Sequence, residues 1–157
     1  TRRDNTEVFN VTEEWYAKHK KQMRKWGNPK FQEEDLYSLY CLQEGISRLK
    51  YKDESRGNGT MNFLRAFIEL GAFGVVNPEY KSHLNIISGK NIVNCDNERA
   101  PYEDENGTFW LSLNQENDLG KLPDPKYLKR TRQYFPGTFL EVKIYLNKTF
   151  FKHVLTE

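Results

Sequence analysis

Two carboxylates and a lysine in the last third of the chain have types and spacing that suit metal-dependent chemistry. Asp124 follows a proline, and Glu141-Val142-Lys143 lies in a stretch where apolar and polar residues alternate. Side chains two positions apart on a β-strand point to the same face, so Glu141 and Lys143 would lie side by side. Carboxylate oxygens are ligands that Mg²⁺ accepts, and a bound cation can activate a water molecule.

Pro123-Asp124, a spacer and Glu141-Val142-Lys143 together resemble the motif of the PD-(D/E)xK nuclease family, over about twenty residues. The resemblance implies that Asp124 and Glu141 bind a divalent metal, that Lys143 helps to activate water, and that the partner is a nucleic acid. The same residues fit an amphipathic strand that shows Glu141 and Lys143 to solvent. We favour this simpler interpretation, under which the chain has no catalytic residue, no metal site and no cofactor.

Four asparagines fit the acceptor pattern for N-linked glycans, and each is followed two positions later by threonine. About one such match is expected by chance from this composition. All four fall in predicted loops or turns, where a glycan could be attached, and we expect their side chains to be exposed. The predicted glycosylation sites are Asn10, Asn58, Asn106 and Asn147.

The two cysteines, Cys41 and Cys95, are the smallest number that allows a disulfide. Cys41 lies on a predicted helix and Cys95 at the end of a predicted strand, which suits a bridge from helix to sheet. The alternative is a pair of free thiols that pack as small hydrophobic side chains in a cytoplasmic protein. We predict the disulfide, in keeping with a secreted protein.

The N-terminal part of the chain predicts three helices. Thr12 can cap the first helix, in which Trp15, His19 and Met23 recur at intervals of three to four residues. The third helix is apolar on nearly all sides, which is typical of a central buried helix. The predicted ranges are 12–26, 32–50 and 60–70.

The remainder of the chain predicts strands. Gly89-Lys90 is typical of a hairpin turn between two of them, and Asp104-Glu105-Asn106-Gly107 predicts a second turn. One helical turn is expected at 127–134. The predicted strands are 83–88, 91–95, 108–113, 138–146 and 149–154.

Helices followed by strands predict an α+β fold, in which N-terminal helices pack on a largely antiparallel C-terminal sheet. A length of 157 residues predicts a single domain, 1–157. The predicted core takes apolar side chains from the third helix and from the later strands: Phe63, Leu64, Phe67, Ile68, Leu111, Leu140, Val142 and Ile144.

Composition excludes several classes of protein. Aromatic residues make up 14% of the chain, which separates it from disordered proteins, and no apolar stretch approaches the roughly 20 residues of a membrane span. A net charge of +2 is no signature of nucleic-acid binding. We expect a secreted, N-glycosylated, non-enzymatic binding domain with a protein or glycan partner. The alternatives are the metal-dependent nuclease and a cytoplasmic protein-interaction domain with free thiols.

Overall fold

A computed structural model describes residues 6–25, 30–44, 46, 59–72, 82–96 and 98–144. Helices precede strands and the two long strands pair antiparallel, so the predicted α+β class is confirmed. None of the helices in these ranges is both long and apolar enough to cross a lipid bilayer. In chain order the elements are α1 (Thr6–Lys25), α2 (Glu33–Tyr40), α3 (Gly59–Ala72), β1 (His83–Asp96), β2 (Tyr102–Glu103), β3 (Phe109–Trp110) and β4 (Leu128–Lys143).

The first helix, α1, begins at Thr6, which is earlier than predicted. Thr12 lies inside the helix and is buried, so its interpretation as the N-cap is wrong. A capping residue needs a non-helical backbone, and the residues before Thr12 already continue the helix. The predicted apolar face is confirmed, because His19 is fully buried and Trp15 and Met23 pack against the core.

The second helix, α2, ends at Tyr40 and is much shorter than predicted. After Tyr40 the hydrogen bonding changes to the tighter 3₁₀ type, because the N–H groups of Leu42 and Gln43 donate to carbonyls three residues back. The buried side-chain amide of Gln43 donates to the carbonyl oxygens of Leu39 at 2.8 Å and Leu111 at 3.0 Å. It also accepts the N–H of Leu111 at 2.8 Å. Gln43 therefore ties the end of α2 to the segment that follows β3.

Strand β1 is continuous, so the predicted hairpin at Gly89-Lys90 is wrong. Gly89 has a φ of 60°, in the left-handed region that favours glycine. The backbone uses this conformation to bulge, not to reverse, and the register between β1 and β4 shifts beside Gly89. The glycine was correctly identified as a special backbone position, but its partner strand is distant in sequence.

Strand β4 begins at Leu128, so the helical turn predicted at 127–134 is wrong. Its first residues pair with the second half of β1, with Arg130 opposite Asn91. The strand predicted from Thr138 onward is confirmed as far as Lys143. Between Arg130 and Thr138, β4 contains more residues than β1 does, and this bulged section divides β4 into two halves. The strand predicted at 149–154 lies outside the described residues.

The short strands β2 and β3 form a hairpin, and the turn predicted between them is confirmed. The carboxylate of Asp104 accepts the N–H groups of Asn106 and Thr108 at 2.9 Å and the indole N–H of Trp110 at 2.8 Å. These hydrogen bonds, the one from Trp110 above all, lower the pKa of Asp104. The strand predicted over 108–113 shortens to β3, and Leu113 beyond it has a φ of 58°.

The core differs from the predicted set at its β4 side. Leu64, Phe67 and Leu111 are buried as predicted, and Ile144 is partly buried. The prediction is wrong for three residues that are at least 42% exposed, one on α3 and two on the second half of β4, which adds nothing to the buried cluster. The side chain of Ile68 lies outside the described residues. The three exposed residues are Phe63, Leu140 and Val142.

His19 is a buried polar residue that joins α1 to two other parts of the chain. Its Nδ1 lies 2.6 Å from the hydroxyl of Tyr40, and its Nε2 lies 2.9 Å from the carbonyl oxygen of Lys121. Because a carbonyl can only accept, Nε2 carries the proton and Nδ1 accepts from Tyr40. Burial lowers the pKa of His19, against the opposing effect of the Lys121 carbonyl, so the neutral ring is favoured in the folded protein.

Truncation of Phe67 to alanine should lower the free energy of unfolding by roughly 3–5 kcal/mol, because it empties a buried position. The matched control is Phe63→Ala, one helical turn earlier on α3 and 42% exposed, which should cost less than about 1 kcal/mol. Urea unfolding of the two variants measures the difference. Equal costs would contradict the burial described for α3.

The lowered pKa of His19 predicts a loss of stability in acid. Below about pH 6.5 the histidine of the unfolded chain takes up a proton that the folded protein resists. The free energy of unfolding should therefore fall as the pH falls from about 6.5 towards the folded-state pKa. His19→Gln should flatten this part of the profile in urea unfolding. A profile that His19→Gln does not alter would contradict the assignment.

Candidate binding cleft

An ion pair with a buried carboxylate holds the first half of β4 against α2. The guanidinium of Arg130 donates to the carboxylate of Asp35 at 2.6 Å and to that of Glu34 at 2.9 Å. Asp35 is almost fully buried and also accepts the backbone N–H of Gln32 at 2.8 Å. Asp35 thus caps the start of α2 and also holds β4 through Arg130.

Asn91 makes the corresponding link between α2 and β1. Its side-chain N–H₂ donates to the carbonyl oxygen of Glu34 at 3.1 Å and to the hydroxyl of Ser38 at 2.6 Å. The residue is 5% exposed, and its Oδ1 has no hydrogen-bond partner among the described residues. A buried acceptor without a donor costs on the order of 1–3 kcal/mol.

An open cleft lies between α2, the start of α3 and the inner faces of β1 and β4. Its apolar half has a volume of about 750 Å³, within the roughly 300–1,000 Å³ that is common for ligand sites. Side chains from all four elements form its walls, chiefly Tyr37, Leu42, Phe63, Ile86, Val93 and Leu140. The exposure of Phe63 and Leu140 follows from their position on this cleft.

A polar half of about 560 Å³ adjoins the apolar half. The two halves share a strip of residues with hydroxyl, amide and carboxylate groups. Lys90 and Arg130 line the polar half, and the bulged section of β4 closes it with Tyr134, Pro136 and Gly137. The shared strip consists of Glu34, Ser38, Ser88, Asn91 and Thr138.

The second half of β4 carries an unusual amount of exposed apolar surface. Of the large hydrophobic side chains that are exposed in the described residues, all but Phe63 belong to this strand. Leu140 lines the cleft, and Phe139 beside it points to the opposite face, as alternation along a strand requires. Exposed apolar patches mark interaction sites in folded proteins. The β4 residues are Tyr134, Phe135, Phe139, Leu140 and Val142.

The predicted disulfide is wrong, because Cys41 and Cys95 are both free thiols. The two residues face different surroundings. Cys95 lies on the inner face of β1 within the buried core, where burial raises its pKa to about 12. Cys41 follows α2, is exposed, and lines the apolar half of the cleft. Partial burial of its thiol raises the pKa of Cys41 as well.

Two of the four predicted glycosylation sites lie in the described residues, and both have exposed side chains. Asn106 lies in the turn between β2 and β3, as predicted. Asn10 lies on α1, so its placement in a loop is wrong, although it remains exposed. Asn58 and Asn147 lie outside the described residues.

The structure does not bring together the carboxylates of the nuclease-like motif. Asp124 precedes β4, and its carboxylate accepts the backbone N–H of Lys126 at 2.8 Å, which is a turn contact. Glu141 lies near the other end of β4 and accepts the side-chain N–H of Asn85 at 2.6 Å. A strand rises about 3.3 Å per residue, so the length of β4 separates the two carboxylates. Lys143 lies two residues beyond Glu141 on the same face of β4.

Within the described ranges, no group of three histidine, cysteine, aspartate or glutamate side chains is close enough to hold a metal ion. Pro123 is buried, and it lines a pocket together with Leu122, Met23 and Phe31. The turn at 123–125 therefore packs against the helices, and its proline has a structural role.

The environments of the two thiols predict different reactivities. In the native protein at neutral pH, a thiol reagent such as Ellman's reagent should modify Cys41 slowly, and Cys95 should react only after unfolding. Titration in denaturant should find two thiols without a reducing agent. Cys41→Ser should abolish the native reaction. If the denatured protein contained no reactive thiols, the assignment of two free thiols would be contradicted and the predicted disulfide would be supported.

Comparisons of the chain with protein-family models, with curated proteins and with solved structures found no match. The cleft between the helices and the sheet has the volume and the mixed lining of a binding site.

Proposed function

We propose that this chain is a non-enzymatic binding domain and that its cleft takes an apolar segment of a protein partner. The observation that carries the proposal is the apolar half of the cleft, where Phe63 and Leu140 are 42% and 48% exposed beside the buried Ile86. Covering these side chains would remove apolar surface from water, which is the main driving force for protein association.

The lining favours a protein segment over a glycan. Aliphatic and aromatic carbon dominates the apolar half, and most of its polar residues lie in the strip at its border. An extended peptide matches this division, since its side chains are apolar and its backbone needs hydrogen-bond partners. The hydroxyls of Ser88 and Thr138, 3.2 Å apart, and the amide of Asn91 can supply those partners.

The proposed setting is the secretory pathway, and the sequons at exposed Asn10 and Asn106 support it. Because Cys41 and Cys95 are free thiols, no disulfide between them gives independent support for this location. Intact mass before and after enzymatic removal of N-linked glycans, on protein secreted by a eukaryotic host, tests this part. The binding function does not depend on the outcome, because the cleft is formed by the protein itself.

A matched pair of variants on β4 tests the binding function. Leu140→Glu places a charge inside the cleft, while Phe139→Glu places one on the opposite face at a position of equal exposure, 48% against 49%. Selection of a random peptide library against the unmodified protein should yield binding peptides that contain apolar residues. Leu140→Glu should weaken them by at least about tenfold, since an unpaired charge would be buried under the peptide, and Phe139→Glu should not.

Labelling of Cys41 with a maleimide gives a second readout, because the label would occupy the apolar half of the cleft. It should block peptide binding in the unmodified protein and have no effect on Cys41→Ser. A glycan array run in parallel covers the other partner class. Glycan binding without peptide binding, or peptide binding that Leu140→Glu leaves intact, would overturn the proposal.

A further inference from the structure

The second half of β4 pairs with β1 along one of its two edges. The pairing runs from Thr138, opposite Ser88, to Lys143, opposite His83. Within the part of the chain that the structure describes, the sheet ends at β4, because no further strand pairs with its other edge. The N–H and C=O groups along such an edge can bond to an added strand. This edge is therefore a place where a second strand can be joined to the sheet.

The side chains of this half of β4 are exposed on both faces of the sheet. Leu140 and Val142, on the inner face, are 48% and 42% exposed, and Phe139, on the outer face, is 49% exposed. None of these three side chains belongs to the buried cluster. A strand placed beside β4 would cover one flank of each side chain and remove apolar surface from water.

The charges on the outer face follow an order that is complementary to itself. Glu141 and Lys143 lie on this face, on either side of Val142. When two identical strands pair about a two-fold axis, each contact occurs twice, because residue i faces j and residue j faces i. With Val142 opposite its own copy, Glu141 faces Lys143 and Leu140 faces Ile144. Residues 140–144 thus match their own reverse in polarity and in charge.

The neighbouring registers lack this match. Centring the contact on Glu141 or on Lys143 places that residue opposite its own copy, and like charges directly opposite one another are destabilising. Centring it on Leu140 places the carboxylate of Glu141 opposite the ring of Phe139. Opposite charges directly across a strand pair are stabilising, so the order of charges selects the register centred on Val142.

We propose that this edge of β4 pairs antiparallel with the same edge of a second copy of the chain, centred on Val142, to form a four-stranded sheet. The proposal goes beyond the proposed function, since the contact is at the edge of the sheet and not in the cleft. Opposed residues of an antiparallel pair point to the same face, so the two clefts open on the same side of the joined sheet. The dimer thereby presents two clefts to one partner, which raises the affinity for a partner with two apolar segments.

Charge reversal tests the contact, with sedimentation equilibrium from micromolar to millimolar protein as the measurement. The unmodified chain should dimerise reversibly. Glu141→Lys and Lys143→Glu should each raise the dissociation constant by about tenfold or more, because each places like charges opposite one another twice. The double variant should restore the dimer. The control Lys129→Glu makes the same change of charge at an exposed position in the first half of β4 and should have no effect.

Recovery in the double variant reports on the contact between copies. Within one copy, Glu141 accepts a hydrogen bond from Asn85 at 2.6 Å, and neither Glu141→Lys nor the double variant can make it. A loss caused inside the monomer would therefore persist in the double variant. Far-ultraviolet circular dichroism and the urea midpoint confirm that each variant is folded before association is measured.

A cysteine pair tests the register in the Cys41→Ser background, where the remaining native thiol, Cys95, is buried. Opposed residues of an antiparallel pair have Cα atoms about 4.5–5.5 Å apart, within the range of a disulfide. Mild oxidation should therefore link Val142→Cys into a covalent dimer. Phe139→Cys, similarly exposed but three residues from the two-fold axis, should remain unlinked.

The outcomes separate the dimer from the proposed function. A chain that stays monomeric throughout the series overturns the dimer, as does a dimer that the charge variants leave unchanged or a crosslink through Phe139→Cys instead of Val142→Cys. Glu141 and Lys143 line neither half of the cleft, so their variants should bind apolar peptides as the unmodified protein does. Peptide binding by a monomer overturns the dimer alone, and a dimer that binds no peptide overturns the proposed function alone.

Discussion

The contact between Arg130 and the buried carboxylate of Asp35 is the interaction on which the arrangement of helices and sheet depends. Asp35 begins α2 by accepting the N–H of Gln32, and Arg130 lies where β4 starts to pair with β1. A carboxylate in the interior is stable only with partners, so the ion pair fixes the position of α2 over the sheet. Removal of Arg130 would leave the buried carboxylate of Asp35 without its ion-pair partner.

The two ends of α2 are held by different polar side chains, and the cleft lies along the helix between them. Asp35 and Asn91 connect its start to the sheet, and Gln43 connects its end to Leu111. Each of these side chains is buried and joins segments that are distant in sequence. Between these ends, Leu36, Leu39 and Tyr40 are buried in the core, while Tyr37 and Ser38 line the cleft.

Local signals in the sequence predicted the features that depend on neighbouring residues. The α+β class, the apolar face of α1 with His19, and the turn at Asp104 follow from periodicity or from turn residues. The same reasoning treated Gly89 as a hairpin turn, since the sequence does not show that β1 pairs with a strand some forty residues later. It also assigned Leu140 and Val142 to the core, because alternation predicts which residues of a strand share a face but not whether that face is covered.

The candidate cleft could be predicted only in part. A polar residue at an inward position of a strand, as Asn91 is, was a visible signal that something other than core packing occurs there. The ion pair of Asp35 with Arg130 had no such signal, because its partners are far apart and charged residues are common on surfaces. The disulfide failed for a related reason, since two cysteines in a sequence do not reveal whether their side chains face each other.

The bulged section of β4 separates a part of the strand that attaches it to α2 from a part that lines the cleft. Residues before it are held by the ion pair and by β1, while residues after it form the outer wall of the cleft. An insertion or deletion between Thr131 and Gly137 would be absorbed locally, without a shift in the register of either half. The shape of the recognition surface can thus diverge between descendants of this sequence while the buried framework beneath it is inherited unchanged.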